Sequence, residues 1–276
     1  MSPPEMTGPE ETNEGVLFIA TGDRHRLEAC DAVNHCRPHL KGRPVALVTD
    51  APERIPHGLF EQVLPHPEPR HSYRDKIEPL ITPPFKRTLY LDTDAVLIHP
   101  VCDLFAMLKN LEFLACHAPV HFHGWKDPAV PDGFCEVNSG VIGLQCCPNT
   151  EELISHWLSC YDRIGLKEDQ ASLRSSLWES INRGLRFYVL PTEYNIRTTK
   201  PWTVGRGNPA RILHGRLTRR QRLRLIAYLG GAEISFKRSG IVATGANEWC
   251  TGEWQGSAPY RRLRALASRL RSKFRP

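Results

Sequence analysis

Residues 88–97, TLYLDTDAVL, join an apolar run to two acids that stand two positions apart. Thr88–Leu91 is predicted to be a buried strand that ends at Asp92-Thr93-Asp94. Ligands of open α/β sheets bind beyond the carboxyl ends of the strands, which is where both carboxylates would lie. Carboxylate oxygens are ligands for hard divalent cations, and such an ion can bridge them to a diphosphate. The stretch therefore predicts a site for Mn²⁺ or Mg²⁺.

The segments on both sides alternate between short apolar runs and helical patterns. Beyond 88–91, strands are predicted within GVLFIATGD (15–23), PVALVTD (44–50), 112–116 and NSGVIGLQ (138–145). Helices are predicted at 24–36, 71–81, 102–110, 150–164 and 168–182, and a long loop at 117–135. Alternation of this kind is typical of an α/β fold with a doubly wound, mostly parallel sheet flanked by helices.

Composition indicates a soluble globular protein. The 276 residues are 41% hydrophobic and 24% charged, which is enough to bury a large core and excludes a wholly disordered or fibrous chain. No run reaches the roughly 18 residues of a membrane-spanning helix, and the N-terminus lacks the features of a secretion signal. Nine cysteines without a CxxC pair favour reduced thiols and a cytoplasmic location, with Cys146 and Cys147 packed in a strand.

The net charge of +6 is unevenly distributed along the chain. Residues 1–15 carry four Glu and are predicted to be a disordered tail, whereas residues 258–276 carry six Arg and one Lys. The second segment is predicted to be a basic amphipathic helix. Its apolar residues at helical spacing are Leu263, Leu266, Leu270 and Phe274.

Two roles for this basic helix remain open. It could bind peripherally to the inner face of an anionic membrane, since each basic residue near such a surface contributes about 1 kcal/mol to the binding free energy. Alternatively, its leucines pack on the protein core. No nucleic-acid partner is expected, because the segment lacks interleaved aromatic residues and the chain has no nucleic-acid-binding signature.

Other polar groups recur in a fixed order around the DxD motif. They are Thr21 after the first strand, Lys76 ahead of the motif, Asn138-Ser139-Gly140, Glu168-Asp169-Gln170, LPTEYN (190–195) and His214-Gly215-Arg216. In this order the chain resembles glycosyltransferases of the GT-A fold, and most closely those of family 8, the glycogenin and lipopolysaccharide galactosyltransferase group. The resemblance covers roughly residues 16–216 and implies one GT-A domain over 16–257.

The resemblance implies an enzyme that transfers a sugar from a nucleotide-diphosphate donor, with a UDP-sugar as first choice. The acceptor would be the hydroxyl of a glycan, glycolipid or protein, and the anomeric configuration would be retained. Asp92 and Asp94 would hold the metal together with His214. Mn²⁺ is preferred over Mg²⁺, because imidazole is a better ligand for Mn²⁺.

The resemblance also implies a set of donor-binding residues. Asp169 and Gln170 would act at the reacting face of the donor sugar. The other residues of the implied donor site are Ala20, Thr21 and Asp23 at the base and ribose, Lys76 at the phosphates and sugar, Asn138 and Ser139 at the sugar, and Thr93, Gly215 and Arg216 beside the metal ligands. These side chains suit the recognition of phosphate and hydroxyl groups.

One family feature is displaced in this chain. The family's Lys-Pro-Trp triplet follows the late histidine, whereas Lys200-Pro201-Trp202 precedes His214 here. Arg216 or Arg219 is therefore expected to supply the positive charge for the β-phosphate, because guanidinium binds phosphate oxygens in a bidentate manner.

Two other functions are compatible with parts of the sequence. A haloacid dehalogenase-type phosphatase also uses a DxD motif, but on its first strand and with a further Lys and acidic pair downstream. A non-catalytic adaptor could keep the fold and act at a membrane surface through residues 258–276.

The loop after residue 116 contains three histidines and a tryptophan. His117, His121 and His123 suggest zinc, although the further ligands of a tetrahedral site are missing. The loop is better interpreted as facing the acceptor, in which case Trp125 either stacks on a sugar ring or packs within the protein.

Overall fold

The computed structural model describes residues 13–66, 68–118, 124–198, 209–218, 220–223, 225, 242–245 and 248–250. The predicted tail up to residue 12 and the predicted helix at 258–276 lie outside these residues. Among the described helices, none has the length and apolarity that a membrane span requires.

Seven strands form one sheet in the order β3-β2-β1-β4-β7-β6-β8. The seven are β1 (Glu14–Ala20), β2 (Val45–Thr49), β3 (Gln62–Pro65), β4 (Arg87–Leu91), β6 (Phe113–His117), β7 (Val137–Gln145) and β8 (Phe187–Leu190). Strand β7 runs antiparallel to its neighbours β4 and β6, and the remaining pairs are parallel. The predicted mostly parallel α/β sheet is confirmed.

Helices cover both faces of this sheet. They are α1 (Asp23–Cys36), α2 (Arg74–Ile77), α3 (Cys102–Met107), α4 (Pro148–Ile164) and α5 (Gln170–Asn182). Side chains of β1 and β4 alternate between two core clusters: Phe18 and Leu91 pack with residues of α1 and α3, and Ile19 and Tyr90 pack with residues of α2, α4 and α5. Burial on both faces explains why these strands are almost continuously apolar.

A second, three-stranded sheet is formed by β5 (Ala95–Leu97), β9 (Ile196–Arg197) and β10 (Ile212–His214). Strand β10 is antiparallel to β5 and parallel to β9, so that His214 lies opposite Ala95 on one side and Arg197 on the other. This sheet brings β9 and β10, which are distant in sequence, to β5 just beyond the end of β4. A separate two-stranded antiparallel sheet consists of β11 (Val242–Gly245) and β12 (Glu248–Cys250).

The predicted N-terminal tail of residues 1–15 extends too far into the chain. Glu14 and Gly15 belong to β1 and pair with β4. The Glu14 carboxylate accepts hydrogen bonds from Arg43 and Arg87, which lie on either side of it. These two ion pairs stabilise the strand at positions where its sequence alone favours a polar tail.

The prediction that Cys146 and Cys147 pack within a strand is wrong. Strand β7 ends at Gln145, Cys146 is exposed, and Cys147 is the N-cap residue of α4. Pro148 follows at the first helical position, where its missing N–H costs no hydrogen bond, so the chain turns into the helix here.

Candidate metal centre

The turn after β4 is fixed by backbone hydrogen bonds. The Ala95 N–H donates to the Asp92 carbonyl (2.9 Å), and the Asp92 N–H donates to the Gly140 carbonyl of the neighbouring strand (2.8 Å). The Gly215 N–H, one residue after β10, donates to the Asp94 carbonyl (3.0 Å). The two predicted acids therefore stand on a turn that is tied to both sheets.

The side chains of Asp92, Asp94 and His214 converge at this turn. His214 Nε2 lies 3.2 Å from Asp94 Oδ1 and 3.6 Å from Asp92 Oδ2. One ligand atom of each residue lies within 4.8 Å of the ligand atoms of the other two. Two carboxylates and one imidazole form a donor set that fits Mn²⁺. The structure thus brings together the three residues that the family resemblance implies as ligands.

Gly140 keeps space open beside these groups. A Cβ atom at this position would lie 2.1 Å from His214 Cε1 and 2.5 Å from Asp92 Oδ2, which is far inside van der Waals contact. A glycine is therefore needed in the middle of β7 for steric reasons, at a position where a strand normally favours a larger residue.

We expect Gly140→Ala to lower the affinity for Mn²⁺ by about 10- to 100-fold, because the methyl group must displace a ligand side chain. Isothermal titration calorimetry of the purified variant measures this loss. Gly143→Ala is the matched control, since its Cβ would meet only the Leu114 side chain, at 3.1 Å or more. Equal Mn²⁺ affinity of both variants would show that Gly140 does not shape the site.

Neighbouring charged groups shift the pKa values of these side chains. Burial by itself raises the pKa of Asp92, but Lys76 and His214 outweigh it, so that the pKa lies well below its usual range. Burial likewise lowers the pKa of His214, and hydrogen bonds with Asp92 and Asp94 overcome this effect and raise it. Burial also raises the pKa of Asp94, but His214 outweighs it and lowers the pKa, so both half-buried carboxylates stay ionised and attract a cation.

Lys76 lies at the centre of a buried polar cluster next to the metal ligands. Its ammonium donates to Ser139 Oγ (2.9 Å) and lies 3.0 Å from Asp169 Oδ2 and 3.6 Å from Asp92 Oδ1. Burial alone lowers the pKa of Lys76, but Asp169 and Asp92 outweigh burial and raise it well above the usual value. Lys76 is therefore a permanent cation within reach of the pocket.

On the side of the ring away from Asp92 and Asp94, His214 Nδ1 contacts a hydrogen-bonded series of amide side chains. His214 Nδ1 lies 2.8 Å from Asn195 Oδ1, Asn195 Nδ2 donates to Asn138 Oδ1 (2.8 Å), and Asn138 Nδ2 donates to Gln170 Oε1 (2.9 Å). On the pocket side, His214 Nε2 also lies 3.0 Å from a guanidinium nitrogen of Arg197. The ring is held from both sides.

A pocket of about 790 Å³ opens in front of the ligands, at the carboxyl ends of β1 and β4. It is lined by polar, aromatic and basic side chains from several elements. Its walls include Thr21, Asp23, His71, Tyr73, Lys76, Asp92, Thr93, Asp94, Tyr161, Lys167, Arg197, His214 and Arg216. The space is of the size that small-molecule ligands occupy in proteins, and its basic residues favour an anion.

Several residues of the predicted donor site line this pocket, including Thr21, Asp23, Thr93 and Arg216. Some of their polar atoms already have partners within the protein. Thr21 Oγ1 donates to Asp75, Thr93 Oγ1 donates to Glu28, and Arg216 Nε donates to the same Glu28.

Other predicted residues lie behind the pocket wall. Asn138, Ser139, Asp169 and Gln170 are buried and bond to one another, to Lys76 or to Asn195, while Ala20 is buried at the end of β1. Their contacts with a donor sugar stay a prediction.

Parts of the predicted site fall outside the described residues. These parts are His121, His123, residues 200–202 and Arg219. Of the remaining loop residues, His117 is exposed at the end of β6 and Trp125 is half-buried.

Two residues beside the ligands were not predicted to have a role there. Asn195 ends the LPTEYN motif and Arg197 follows two positions later in β9. The alternation of a strand could have indicated that both face the same way. The pairing of β9 with β10, which places them against His214, depends on contacts between distant segments.

Comparisons with known proteins support the fold. No protein-family model and no curated protein matches the sequence. Among solved structures, galactosyltransferase LgtC with donor and acceptor sugar analogs matches at 14% identity over 81% of this chain and 99% of its own, with a TM-score of 0.50. An active-site mutant of LgtC matches at 12% identity over 78% and 95% of the two chains, with a TM-score of 0.52.

A further match is mouse xyloside xylosyltransferase 1, at 15% identity over 73% of this chain and 97% of that one, with a TM-score of 0.49. The LgtC matches extend over nearly the whole of that protein. The chain therefore has the GT-A fold of nucleotide-sugar transferases.

Proposed function

We propose that this protein is a metal-dependent glycosyltransferase that moves a sugar from a nucleotide-diphosphate donor to an acceptor hydroxyl. The observation that carries the proposal is the convergence of Asp92, Asp94 and His214 beside a basic pocket at the strand ends of a GT-A fold. A UDP-sugar as donor, Mn²⁺ as the metal and retention of configuration as in family 8 are the finer parts of the proposal. They rest on the sequence resemblance.

A divalent ion bound by the three side chains would act as a Lewis acid on the diphosphate that leaves the sugar. The protein's own cations would add to this effect. Lys76 lines the pocket and keeps its charge because buried carboxylates surround it. Negative charge grows on the diphosphate only as the glycosidic bond breaks, so fixed positive charges stabilise the transition state more than the ground state.

Arg197 is the guanidinium that we assign to the diphosphate. It is half-buried, it lines the pocket, and its Nε atom has no hydrogen-bond partner in the described part of the chain. Its Nη1 atom lies 3.0 Å from His214 Nε2 and 3.4 Å from His214 Nδ1. Since one lone pair cannot serve both Arg197 and a metal ion, the guanidinium is available to phosphate oxygens once the ion is bound. Arg216 is less available, because Glu28 pairs with it at 3.1 Å.

We expect Arg197→Gln to raise the KM for a UDP-sugar by about 10- to 100-fold, the effect of losing a hydrogen bond to a charged group. Arg216→Gln should raise it less. Steady-state kinetics at saturating Mn²⁺ compares the two variants, with Arg183→Gln as a control whose partners, Glu152 and Glu179, are exposed on the far helices. A larger rise in KM for Arg216→Gln than for Arg197→Gln would indicate that Arg216 binds the diphosphate.

The proposed function is tested by incubating the protein with a panel of UDP-sugars and Mn²⁺ and measuring the release of UDP. We expect release with at least one donor and its loss on addition of EDTA. Release of inorganic phosphate from phosphomonoesters, with no turnover of any nucleotide sugar, would instead favour the phosphatase alternative. Neither activity, together with binding to anionic liposomes that requires residues 258–276, would favour the adaptor.

A further inference from the structure

A hydrogen-bond chain with a defined direction leads from the backbone to His214. It begins at the Gly140 N–H, which donates to Asn138 Oδ1 (3.2 Å). A backbone N–H can only donate, so the atom it meets must be the amide oxygen of Asn138. The other end of this amide, Nδ2, meets Gln170 Oε1. The orientation of Asn138 is therefore determined.

The orientation of Asn195 follows from that of Asn138. The Asn138 oxygen accepts a second hydrogen bond, from Asn195 at 2.8 Å, so the Asn195 atom that faces it must be the nitrogen. The reverse orientation would set two amide oxygens against each other in a buried place, which costs the free energy of unsatisfied polar groups. Asn195 Oδ1 consequently faces His214 Nδ1 at 2.8 Å.

The amide oxygen of Asn195 can only accept, and at 2.8 Å it is nearer to His214 Nδ1 than the Arg197 guanidinium nitrogen at 3.4 Å, so Nδ1 must carry a proton. Asn138 and Asn195 are each 4% exposed and His214 is 1% exposed, so water does not compete for these contacts. With Nδ1 occupied, Nε2 is the nitrogen that is directed at Asp92 and Asp94.

We propose that Asn195 is a positioning residue that holds His214 with Nδ1 protonated and Nε2 directed at the metal. This inference rests on the proposed function, because it assigns a role toward the metal ion of that site. Histidine ligands generally donate their second N–H to a fixed acceptor, and loss of that acceptor lowers metal affinity by about 10- to 100-fold. Here the fixed acceptor is an amide whose own orientation is set by the backbone of β7.

Two variants of Asn195 separate this role from a packing role. Asn195→Leu keeps the approximate volume and removes the acceptor, so we expect the Kd for Mn²⁺ to rise by about 10- to 100-fold. Asn195→Asp keeps an acceptor for Nδ1–H, so the Kd should stay within about fivefold of the wild type, while the carboxylate oxygen that then faces Asn138 Oδ1 lowers the free energy of unfolding. Calorimetric titration with Mn²⁺ alone gives these constants. Asn149→Ala is the control, since Asn149 donates to Glu112 outside the site.

The tautomer is read directly from the wild-type protein. Long-range ¹⁵N–¹H correlation spectra with Zn²⁺ as a diamagnetic probe should show His214 protonated at Nδ1 and bound through Nε2. A proton on Nε2 would overturn the proposal even if Asn195→Leu failed to fold. Wild-type Mn²⁺ affinity in a folded Asn195→Leu would overturn it and leave the proposed function standing. Absence of Mn²⁺ binding to the wild type would overturn both.

Discussion

Asn in place of Asp94 is expected to lower the Mn²⁺-dependent turnover of a UDP-sugar by about 10³-fold, which corresponds to about 4 kcal/mol of transition-state stabilisation. The substitution changes the volume very little and removes one of the two carboxylates that face His214 Nε2. The backbone contact of residue 94 with Gly215 is unaffected, because it uses the carbonyl oxygen. Loss of activity should therefore occur without loss of the fold.

Thermal unfolding shows whether Asp94→Asn loses its activity through loss of metal binding or through loss of the fold. Metal binding to the native state raises the Tm by mass action, so Mn²⁺ should raise the Tm of the wild type and have little effect on the variant. Without metal the two Tm values should be close. Asp31→Asn is the control, because Asp31 is a half-exposed residue of α1 that pairs with Arg222. Turnover by Asp94→Asn at the rate of Asp31→Asn would refute the metal site.

The sheet could be predicted from the sequence because its strands are short apolar runs bounded by turn residues. Strands β2, β4, β6 and β7 and helices α1, α4 and α5 are each found within two residues of the predicted bounds, and β1 within three. Strands β3 and β8 are partly exposed and are not among the predicted strands; β3 (QVLP) lacks a continuous apolar run, whereas β8 (FYVL) has one of only four residues. The helix predicted at 71–81 is shorter, since Pro79 cannot donate the hydrogen bond that would continue α2, and a 3₁₀ turn follows.

The candidate site could be predicted only in part, because several of its residues come together through contacts between distant segments. Asp92 and Asp94 are two positions apart in sequence and stand at a strand end, so that their proximity follows from local structure. His214 was placed with them by resemblance alone, since more than a hundred residues separate it from the DxD motif. Asn195 and Arg197 reach the site through the pairing of β9 with β10, which has no local sequence signal.

The environment of Lys76 could not be predicted from the sequence either. The spacing from Lys76 to the DxD motif suggested a contact with donor phosphates, but not that the ammonium would lie between two carboxylates. In the structure Lys76 is 8% exposed and Asp169 is 2% exposed. A buried ion cluster of this kind couples the stability of the fold to the integrity of the pocket.

Lys76→Met is expected to lower the free energy of unfolding by about 3–5 kcal/mol, because removal of one partner leaves buried negative charge uncompensated. The double variant Lys76→Met/Asp169→Asn removes the unpaired charge as well and should recover part of this loss, without recovering the use of a UDP-sugar. Urea unfolding measures the free energies, and the double-mutant cycle gives the coupling between the two residues.

The control for Lys76→Met is Lys109→Met, in which an exposed lysine after α3 is replaced and the stability should change by no more than about 0.5 kcal/mol. A loss below about 1 kcal/mol for Lys76→Met would mean that water or another cation reaches Asp169, contrary to its burial. A large loss with no recovery in the double variant would mean that packing of the lysine stem stabilises the fold more than the ammonium does, which lies over the Tyr73 ring and beside Asp169. Partial recovery of stability in the double variant, with turnover still absent, is the result expected if Lys76 serves both the fold and the donor.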